Sequence, residues 1–393
     1  MSGAAPHLVH GMGTALEAPA WPAITPDEAE MVLARFPLAG RAAALRWHSP
    51  RPFSAAALVE TERGAFFLKR HHRRVRSPAA LAEEHTFIAH LRGAGLAVPQ
   101  VVAAQVGSGQ DGSGQDGLGH DGTGIVSQGE WTYELLRRAE GIDLYRDHQS
   151  WTPFLAAGHA REAGAALARL HLAARDFGAA PRGKHPLVAS LTILPAPDPL
   201  AAAEAYVSAR PALAGYLADK PWRGALARLF AAQAGGLSTR LAQQPSLWTH
   251  NDWHPSNLLW SADGRVSSVI DFGLATRTCA LHDLATAIER TAVAWLEPRG
   301  GDFTADAQAA QALLAGYHAV LSLTRTDVET LTRLLPLVHI EFALSEADYF
   351  AGILNDRAQA DMAWQDYLLG HAEWFLSAAG QAFLRAIEQG VAA

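Results

Sequence analysis

The stretch whose reading decides the fold is Thr249-His250-Asn251-Asp252-Trp253-His254-Pro255-Ser256-Asn257-Leu258-Leu259-Trp260. It is followed by Asp263-Gly264 and then by Val269-Ile270-Asp271-Phe272-Gly273. It reads as a polar loop, a short strand over Leu258–Trp260, an Asp-Gly turn and a second apolar strand ending in an aspartate. A hairpin of that kind brings Asp252, Asn257 and Asp271 together at one end of its strands. Two carboxylates and a carboxamide are hard oxygen ligands that suit Mg²⁺, with positions left open for phosphate oxygens. One carboxylate can instead orient and deprotonate an attacking hydroxyl. Phosphoryl transfer needs those parts: charge neutralised by metal, positioning, and a base beside the acceptor.

Upstream of this stretch, the chain is strand-like from 43 to 69. Ala43–His48, Ala55–Thr61 and Ala65–Lys69 are short runs divided by Ser49-Pro50-Arg51-Pro52 and by Arg63-Gly64. A helix is expected over Ala80–Arg92, with Ser77 and Pro78 as N-cap and first turn and Gly93 and Gly95 as its stop. Pro99–Val106 and Trp131–Leu136 read as two further strands. The Gly-, Asp- and Ser-rich segment between them cannot bury a core and reads as a flexible excursion. After Gly141 the texture changes to Ala/Leu-rich helical patterns: 153–175, 199–218, 222–243, 281–297, 304–322, 326–355 and 360–388. Strand character returns only near 245–273.

The expected architecture is α+β: a small antiparallel-sheet lobe, then a larger, mostly helical lobe, with a cleft between them. The expected division is 1–35 (tail and short helix), 36–140 (N-lobe, nucleotide-binding, with 107–124 as the flexible Gly-rich insertion) and 141–393 (helical C-lobe).

Composition limits the function classes. The chain has 393 residues, 49% hydrophobic, enough for two or three domains with a sizeable core. Its charged share of 18% is below the usual ~25%, which argues against wholesale disorder. Asp plus Glu exceed Lys plus Arg by 39 to 32, a net charge of −7 that disfavours a nucleic-acid partner. No run approaches the ~18–20 apolar residues of a membrane span, and no basic residue precedes Arg35, so neither a membrane partner nor a secretory leader is expected. The single Cys279 forms no internal disulfide and fits a cytoplasmic location.

The pattern His-x-Asp-(four residues)-Asn followed by Ile-Asp-Phe-Gly resembles the aminoglycoside phosphotransferase and choline kinase branch of the protein-kinase-like fold. Other segments resemble it too: Lys69 and the following Glu84, Gly95-Leu96-Ala97-Val98-Pro99, Tyr133-Glu134-Leu135-Leu136, Leu167-Ala168-Arg169-Leu170-His171 and Asp283-Leu284-Ala285. The resemblance spans about residues 40–290. It implies a two-lobed protein-kinase-like fold and a small-molecule kinase using Mg²⁺ and ATP, with GTP as the other candidate nucleotide. It also implies roles: Asp252 as catalytic base or hydroxyl-orienting residue, Asn257 and Asp271 as Mg²⁺ ligands, Lys69 on the α/β-phosphates oriented by Glu84, and His250 and Asp283 as supports of the loop.

Two departures stand out. Asn251 replaces the glycine usual between the histidine and the aspartate, and His48–Ser54 stands where a glycine-rich phosphate loop would be, leaving Ser49, Arg51 or Ser54 for that contact.

Blander readings compete with these. His250, Asp252 and His254 have the spacing of a hydrolase metal site, but that reading leaves Asn257 and Asp271 as coincidence. Beyond Lys69, the basic cluster Arg70, Arg73, Arg74 and Arg76 reads as a solvated turn. Glu84, rather than Glu83, shares the inward stripe of Ile88 and Leu91. His171 reads as structural and Cys279 as a packed thiol. Trp295, Glu289, Glu341, Glu346 and Asp348 fall on helices that line the acceptor side in the family; singly they read as packing or surface residues, and together they hint at a cationic acceptor.

Only residues 274–282 separate Gly273 from Asp283, too few to seat a peptide. The expected partners are therefore a nucleotide and a small hydroxylated acceptor: an amino alcohol such as homoserine or choline, or an aminoglycoside. The competing expectation is a catalytically weak, kinase-like nucleotide- or partner-binding protein.

Overall fold

A computed structural model describes residues 7–10, 15–105, 124–297 and 303–391. Residues 107–123 of the Gly-rich stretch lie outside the described residues. The chain divides into two compact units, residues 1–93 with 97–139, and residues 94–96 with 140–393.

The first unit opens with a two-residue pairing of β1 (Val9–His10) and β2 (Leu16–Glu17), followed by α1 (Pro26–Leu33). Thr25 and Glu28 close a capping box on α1, each side chain accepting the other's backbone N–H. The helix is tied to the sheet, since Glu28 also accepts from Arg70 at 2.8 and 2.9 Å and from the Tyr133 hydroxyl at 2.8 Å.

Strands β3 (Ala42–His48), β4 (Ala55–Thr61) and β5 (Gly64–His72) form an antiparallel meander. Helix α2 (Pro78–Gly93) follows, with Ser77 Oγ accepting from the Ala80 amide at 3.2 Å. The sheet is completed by β6 (Gln100–Val101), β7 (Ile125–Gln128) and β8 (Trp131–Arg137), in the order β3-β4-β5-β8-β6 with β7 also on β8. Alternation along the strands sends Val59, Phe66, Leu68 and Leu135 inward against Ile24, Val32 and Phe36.

Two expectations are corrected here. The strand expected over Pro99–Val106 shrinks to Gln100–Val101, because the Val102 amide still reaches Leu135 O but the Gln105 amide turns to Arg35 O. The basic cluster is not a solvated turn throughout. Arg70 and Arg76 are buried, Arg70 stacking on Trp131 as well as pairing with Glu28.

In the second unit, α3 (Ala157–Ala173) is followed by α4 (Pro199–Ser208), α5 (Pro211–Leu217), α6 (Trp222–Gln233) and α7 (Leu237–Ala242). The sequence had suggested one helix over 199–218 and one over 222–243. Pro211 starts a new helix in the first case, and Gly236, at φ 72°, breaks the second.

The decisive hairpin is β10 (Leu258–Trp260) and β11 (Val266–Val269), preceded by β9 (Ser246–Thr249) and followed by β12 (Thr276–Cys279). β12 pairs with β9, Thr276 opposite Thr249, and lies just beyond the 245–273 stretch in which the sequence shows strand character. Then come α8 (Ala280–Thr291), α9 (Ala307–His318), α10 (Arg325–Leu334), α11 (Ile340–Tyr349), α12 (Arg357–Met362), α13 (His371–Trp374) and α14 (Ala378–Val391). Among the described residues no helix is long and apolar enough to cross a membrane.

Candidate active site

In the second unit, one buried carboxylate organises the loop between β9 and β10. Asp283, in the first turn of α8, accepts from the His250 amide through Oδ2 and from the Asn251 amide through Oδ1, both at 2.8 Å. His171 on α3 adds a third hydrogen bond to Oδ2 at 3.0 Å, and its other ring nitrogen meets the Tyr317 hydroxyl at 2.8 Å. Burial works to raise the Asp283 pKa, but the bonds from His171 and the charge environment outweigh it and hold it below the ordinary value. His250 bonds Ile270 O with Nε2 at 3.0 Å, while its Nδ1 accepts from the Asp252 amide at 3.2 Å. The ring therefore carries its proton on Nε2 and ties the loop to the end of β11.

Asn251, where a glycine is usual, sits at φ 60°. That left-handed region costs an L-residue energy, least for Asn and Asp. Its side chain holds the turn: Oδ1 faces Thr249 Oγ1 (3.0 Å), Thr278 Oγ1 (3.2 Å) and His282 Nδ1 (3.2 Å), and Nδ2 donates to Thr249 O at 3.2 Å. Asp271 is the second such residue, at φ 59°, with its Oδ1 accepting from the Gly273 amide at 3.4 Å. Two non-glycine residues in this conformation flank the same loop, a pattern common where function fixes the backbone.

Asp252 follows Asn251 and is partly exposed. Asn257 gives its Nδ2 hydrogens to Asp252 O (2.9 Å) and Oδ2 (3.0 Å), which turns the amide Oδ1 away as an acceptor. Asp252 Oδ1 accepts from Arg290, and His254 Nε2 lies 3.5 Å from it. Burial would raise the Asp252 pKa; Arg290 first, then His254, outweigh it and keep the carboxylate ionised far below its ordinary range.

Arg290 is fully buried on α8, its guanidinium 5.0 Å from the Trp151 ring centroid and 5.1 Å from that of Phe342. Sequence reasoning missed it. The signal is that Glu289 and Arg290 are the sole charged residues in the run 284–296.

Asn257 Oδ1 and the Asp271 carboxylate are hard oxygens at one end of the hairpin, where Ile270 N bonds Asn257 O at 2.9 Å. That donor set fits Mg²⁺. The hydrolase alternative fits less well. Both His250 nitrogens are engaged, His254 Nδ1 faces Ser256 Oγ at 3.0 Å, and no metal-holding group of three His, Cys, Asp or Glu occurs among the described residues.

In the first unit, Lys69 on β5 lies opposite Glu134 on β8, Nζ 3.9 Å from Oε1. Glu134 is wholly buried and also meets His71 (3.1 Å) and His85 (2.9 Å). Burial alone would raise its pKa, but these two histidines, with Lys69, hold it well down. Glu84 is buried on α2, whereas Glu83 is exposed. Glu134 as a neighbour of the lysine was not anticipated; register opposite Lys69 is its signal, and that needs the strand pairing. At the β3–β4 turn, Ser49 Oγ accepts from the Arg51 amide at 3.2 Å, and Arg51 Nη1 meets His10 Nδ1 at 3.1 Å.

The model of a phosphotransferase enzyme family matches residues 53–323. A homoserine kinase of Acidiphilium cryptum (strain JF-5) is 30% identical over 194 residues, covering 48% of this chain and 51% of that protein. The chain thus spans about half the length of the curated relatives it matches. Among solved structures, a microcompartment-associated aminopropanol kinase aligns with a TM-score of 0.59 at 18% identity, over 91% of this chain and 99% of that one. An amicoumacin kinase in complex with AMP-PNP, Ca²⁺ and Ami gives 0.53 at 14% identity, over 91% and 92%. These likenesses show the fold, the α+β protein-kinase-like one expected from the sequence.

Proposed function

The chain belongs to the phosphotransferase enzyme family, and from that premise we propose that it is an ATP- and Mg²⁺-dependent kinase of a small hydroxylated molecule. The acceptor is an amino alcohol, homoserine- or choline-like, or an aminoglycoside. The homoserine kinase relative and the aminopropanol and antibiotic kinases of like fold support that range. The location that suits it is the cytoplasm, in keeping with the lone, buried Cys279.

The observation that carries this reading is Asp252, an ionised carboxylate held from two sides by Asn257 and Arg290 on a loop fixed by Asp283. In the proposed reaction the acceptor oxygen forms a bond to the γ-phosphorus. The bond from that phosphorus to the β,γ-bridging oxygen breaks, and ADP leaves. Asp252 orients the acceptor O–H and takes its proton late, as suits a weak base and a loose transition state. Asn257 and Asp271 would hold Mg²⁺, which supplies charge neutralisation on the phosphates. Lys69 would contact the α/β-phosphates, with Glu84 and Glu134 as candidate acidic partners.

The catalytically weak alternative draws on Asn251 and on the absence of a glycine-rich loop at His48–Ser54; the first of these has a structural answer. That residue adopts the required left-handed turn and reinforces it with its own side chain, so it lends the alternative little. The deciding experiment is ADP release over a panel of amino alcohols, sugars and aminoglycosides with Mg²⁺-ATP. Acceleration by at least one acceptor is expected. A heat-stability shift with Mg²⁺-ATP and no acceptor-dependent ADP release would overturn the proposal.

A further inference from the structure

The second unit holds a further cavity, of about 310 Å³, a size that accepts a small metabolite. Its walls are the loop after α3, the end of α7, the start of β9 and strand β12. Asp252, Asn257 and Asp271 are not among the residues that line it.

The cavity is positively charged. Arg182 and Arg277 both line it, and among the described residues on its walls none is acidic. Arg277 donates through Nη2 to Phe177 O at 3.4 Å, its Nε is buried with no hydrogen-bond partner, and it makes no ion pair among the described residues. A guanidinium so placed in a chain of net charge −7 calls for an explanation. Glu341, behind the wall at 190–193, does not answer it. Its carboxylate is spent on Ser190 Oγ and on the Thr192 and Ile193 amides, at 2.5 and 2.6 Å for the amides. Gln244 and Ser246 add polar side chains to the walls, and Leu191 and Leu241 add apolar surface.

The loop wall is held in place at a cost. Leu187 is buried at φ 53°, a left-handed conformation unfavourable for a leucine. Its amide donates to Ser345 Oγ at 3.0 Å, and the Ala189 amide donates to Leu274 O at 3.4 Å. Strain of this kind persists only where the surroundings fix it, and here it sets the course of the residues that wall the cavity.

Arg182 joins the cavity to the segment that follows Asp271. Its Nη1 donates to Gly273 O at 2.9 Å and to Ala275 O at 3.2 Å, and its amide donates to Thr276 Oγ1 at 2.9 Å. Thr278, also on the wall, donates from its hydroxyl to Asn251 Oδ1 at 3.2 Å.

We propose that this cavity binds a small organic anion, a phosphate or carboxylate group on a short apolar body, and that Arg182 couples its occupancy to nucleotide binding. Guanidinium groups pair with both kinds of anion through the same planar fork of donors. Leu191 and Leu241 cover the apolar body. A bound anion holds the Arg182 guanidinium where it clasps Gly273 and Ala275. The segment next to Asp271 is then ordered before nucleotide arrives, and each ligand favours the other. The anion site stands apart from the kinase reading; only the coupling rests on it.

The test uses the full chain with n-propyl phosphate and butyrate, anions without a hydroxyl to phosphorylate, and butyramide as the uncharged control. Binding is read by calorimetry with and without saturating Mg²⁺-AMP-PNP, for the wild type, Arg277→Gln, Arg277→Lys and the cavity-filling Ser246→Trp. At least one anion should bind saturably and butyramide should not; the two anions, compared, tell phosphate from carboxylate. Affinity should fall about tenfold or more in Arg277→Gln and in Ser246→Trp, and return in part in Arg277→Lys. With Mg²⁺-AMP-PNP bound, the anion should bind about fivefold tighter, and the anion should tighten the nucleotide by the same factor. Acceptor-dependent ADP release without anion should be unchanged in Arg277→Gln. Absence of saturable binding, equal binding of butyramide, or binding untouched by both Arg277→Gln and Ser246→Trp would overturn the site. Displacement of the anion by Mg²⁺-AMP-PNP would place it in the nucleotide site and overturn the proposal too. Should Mg²⁺-AMP-PNP itself not bind, the kinase reading fails, and the Arg277→Gln comparison still decides the cavity.

Discussion

Arg290 on α8 gives a charged hydrogen bond to Oδ1 of Asp252, 38 residues earlier in the chain. The guanidinium is wholly buried, with Trp151 on one side and Phe342 among its neighbours, and it is the cation that Asp252, Glu289 and Glu346 share. Removing one partner of a buried ion pair leaves the other uncompensated and typically costs about 3–5 kcal/mol. Arg290→Met should therefore destabilise the protein by about that much, measured by urea unfolding. It should also lower kcat, because Asp252 loses the contact that fixes its orientation. Unchanged unfolding and turnover would show that the pair is incidental.

Asp252→Ala tests the reacting group itself. A positioned base typically contributes about 10²–10⁴-fold, so acceptor-dependent ADP release should fall by at least two orders of magnitude. Its lost contacts are to Asn257, Arg290 and His254, and Lys69 is untouched. The thermal shift produced by Mg²⁺-ATP should therefore be largely retained. Asp271→Ala should do the reverse and weaken that shift, since its proposed role is to hold the nucleotide's metal. Turnover that survives Asp252→Ala would remove it from the mechanism.

Most of this arrangement was legible in the chain because its signals are local. The hairpin, its Asp-Gly turn and the spacing of Asp252, Asn257 and Asp271 need no knowledge of distant contacts. Strand β4 falls on the run read from sequence, Ala55–Thr61. What escaped depends on pairing across long separations. Glu134 becomes Lys69's neighbour only through the β5–β8 register, and β12 is a strand only because β9 lies beside it. Arg70 reads as surface by composition, yet Glu28 and Trp131 bury it. Periodicity also ran through breaks that proline and glycine impose, at Pro211 and Gly236. Arg290 was hidden for a related reason: burial of a charge is decided by its partner, and the partner is on another element.

Helices α3 and α9 cross with glycines at the contact, and this crossing sets the support behind the loop. A Cβ at Gly164 would strike Leu313 O and a Cβ at Gly316 would strike Arg161 O, both backbone atoms that cannot swing aside. The close approach lets His171 on α3 reach Tyr317 on α9 while its other nitrogen holds Asp283. Gly164→Ala should force the helices apart and cost about 1–3 kcal/mol or more, as overpacking does. Because Asp283 positions His250 and Asn251, kcat should fall more than nucleotide affinity. A variant as stable as wild type with full turnover would contradict this chain of contacts.

Glu346 makes stability depend on pH in a direction opposite to that of most carboxylates. Burial is the main cause of its rise from 4.5 to about 8, opposed by Arg290 and aided by Asp252 and Glu289, and the Tyr367 hydroxyl in turn feels its charge. In the unfolded chain Glu346 ionises near 4.5, so between about 4.5 and 8 the folded protein binds the extra proton. Stability from this group is complete below about 4.5 and is lost as pH rises toward and through 8, at up to about 1.4 kcal/mol per unit. Glu346→Gln fixes the side chain in a neutral form. In thermal melts between pH 6 and 9, the wild type should lose ground steadily to this variant, which should melt several degrees higher at pH 9. A difference that does not change with pH, or one that narrows toward pH 9, would mean that Glu346 is ionised throughout, with a cation nearby.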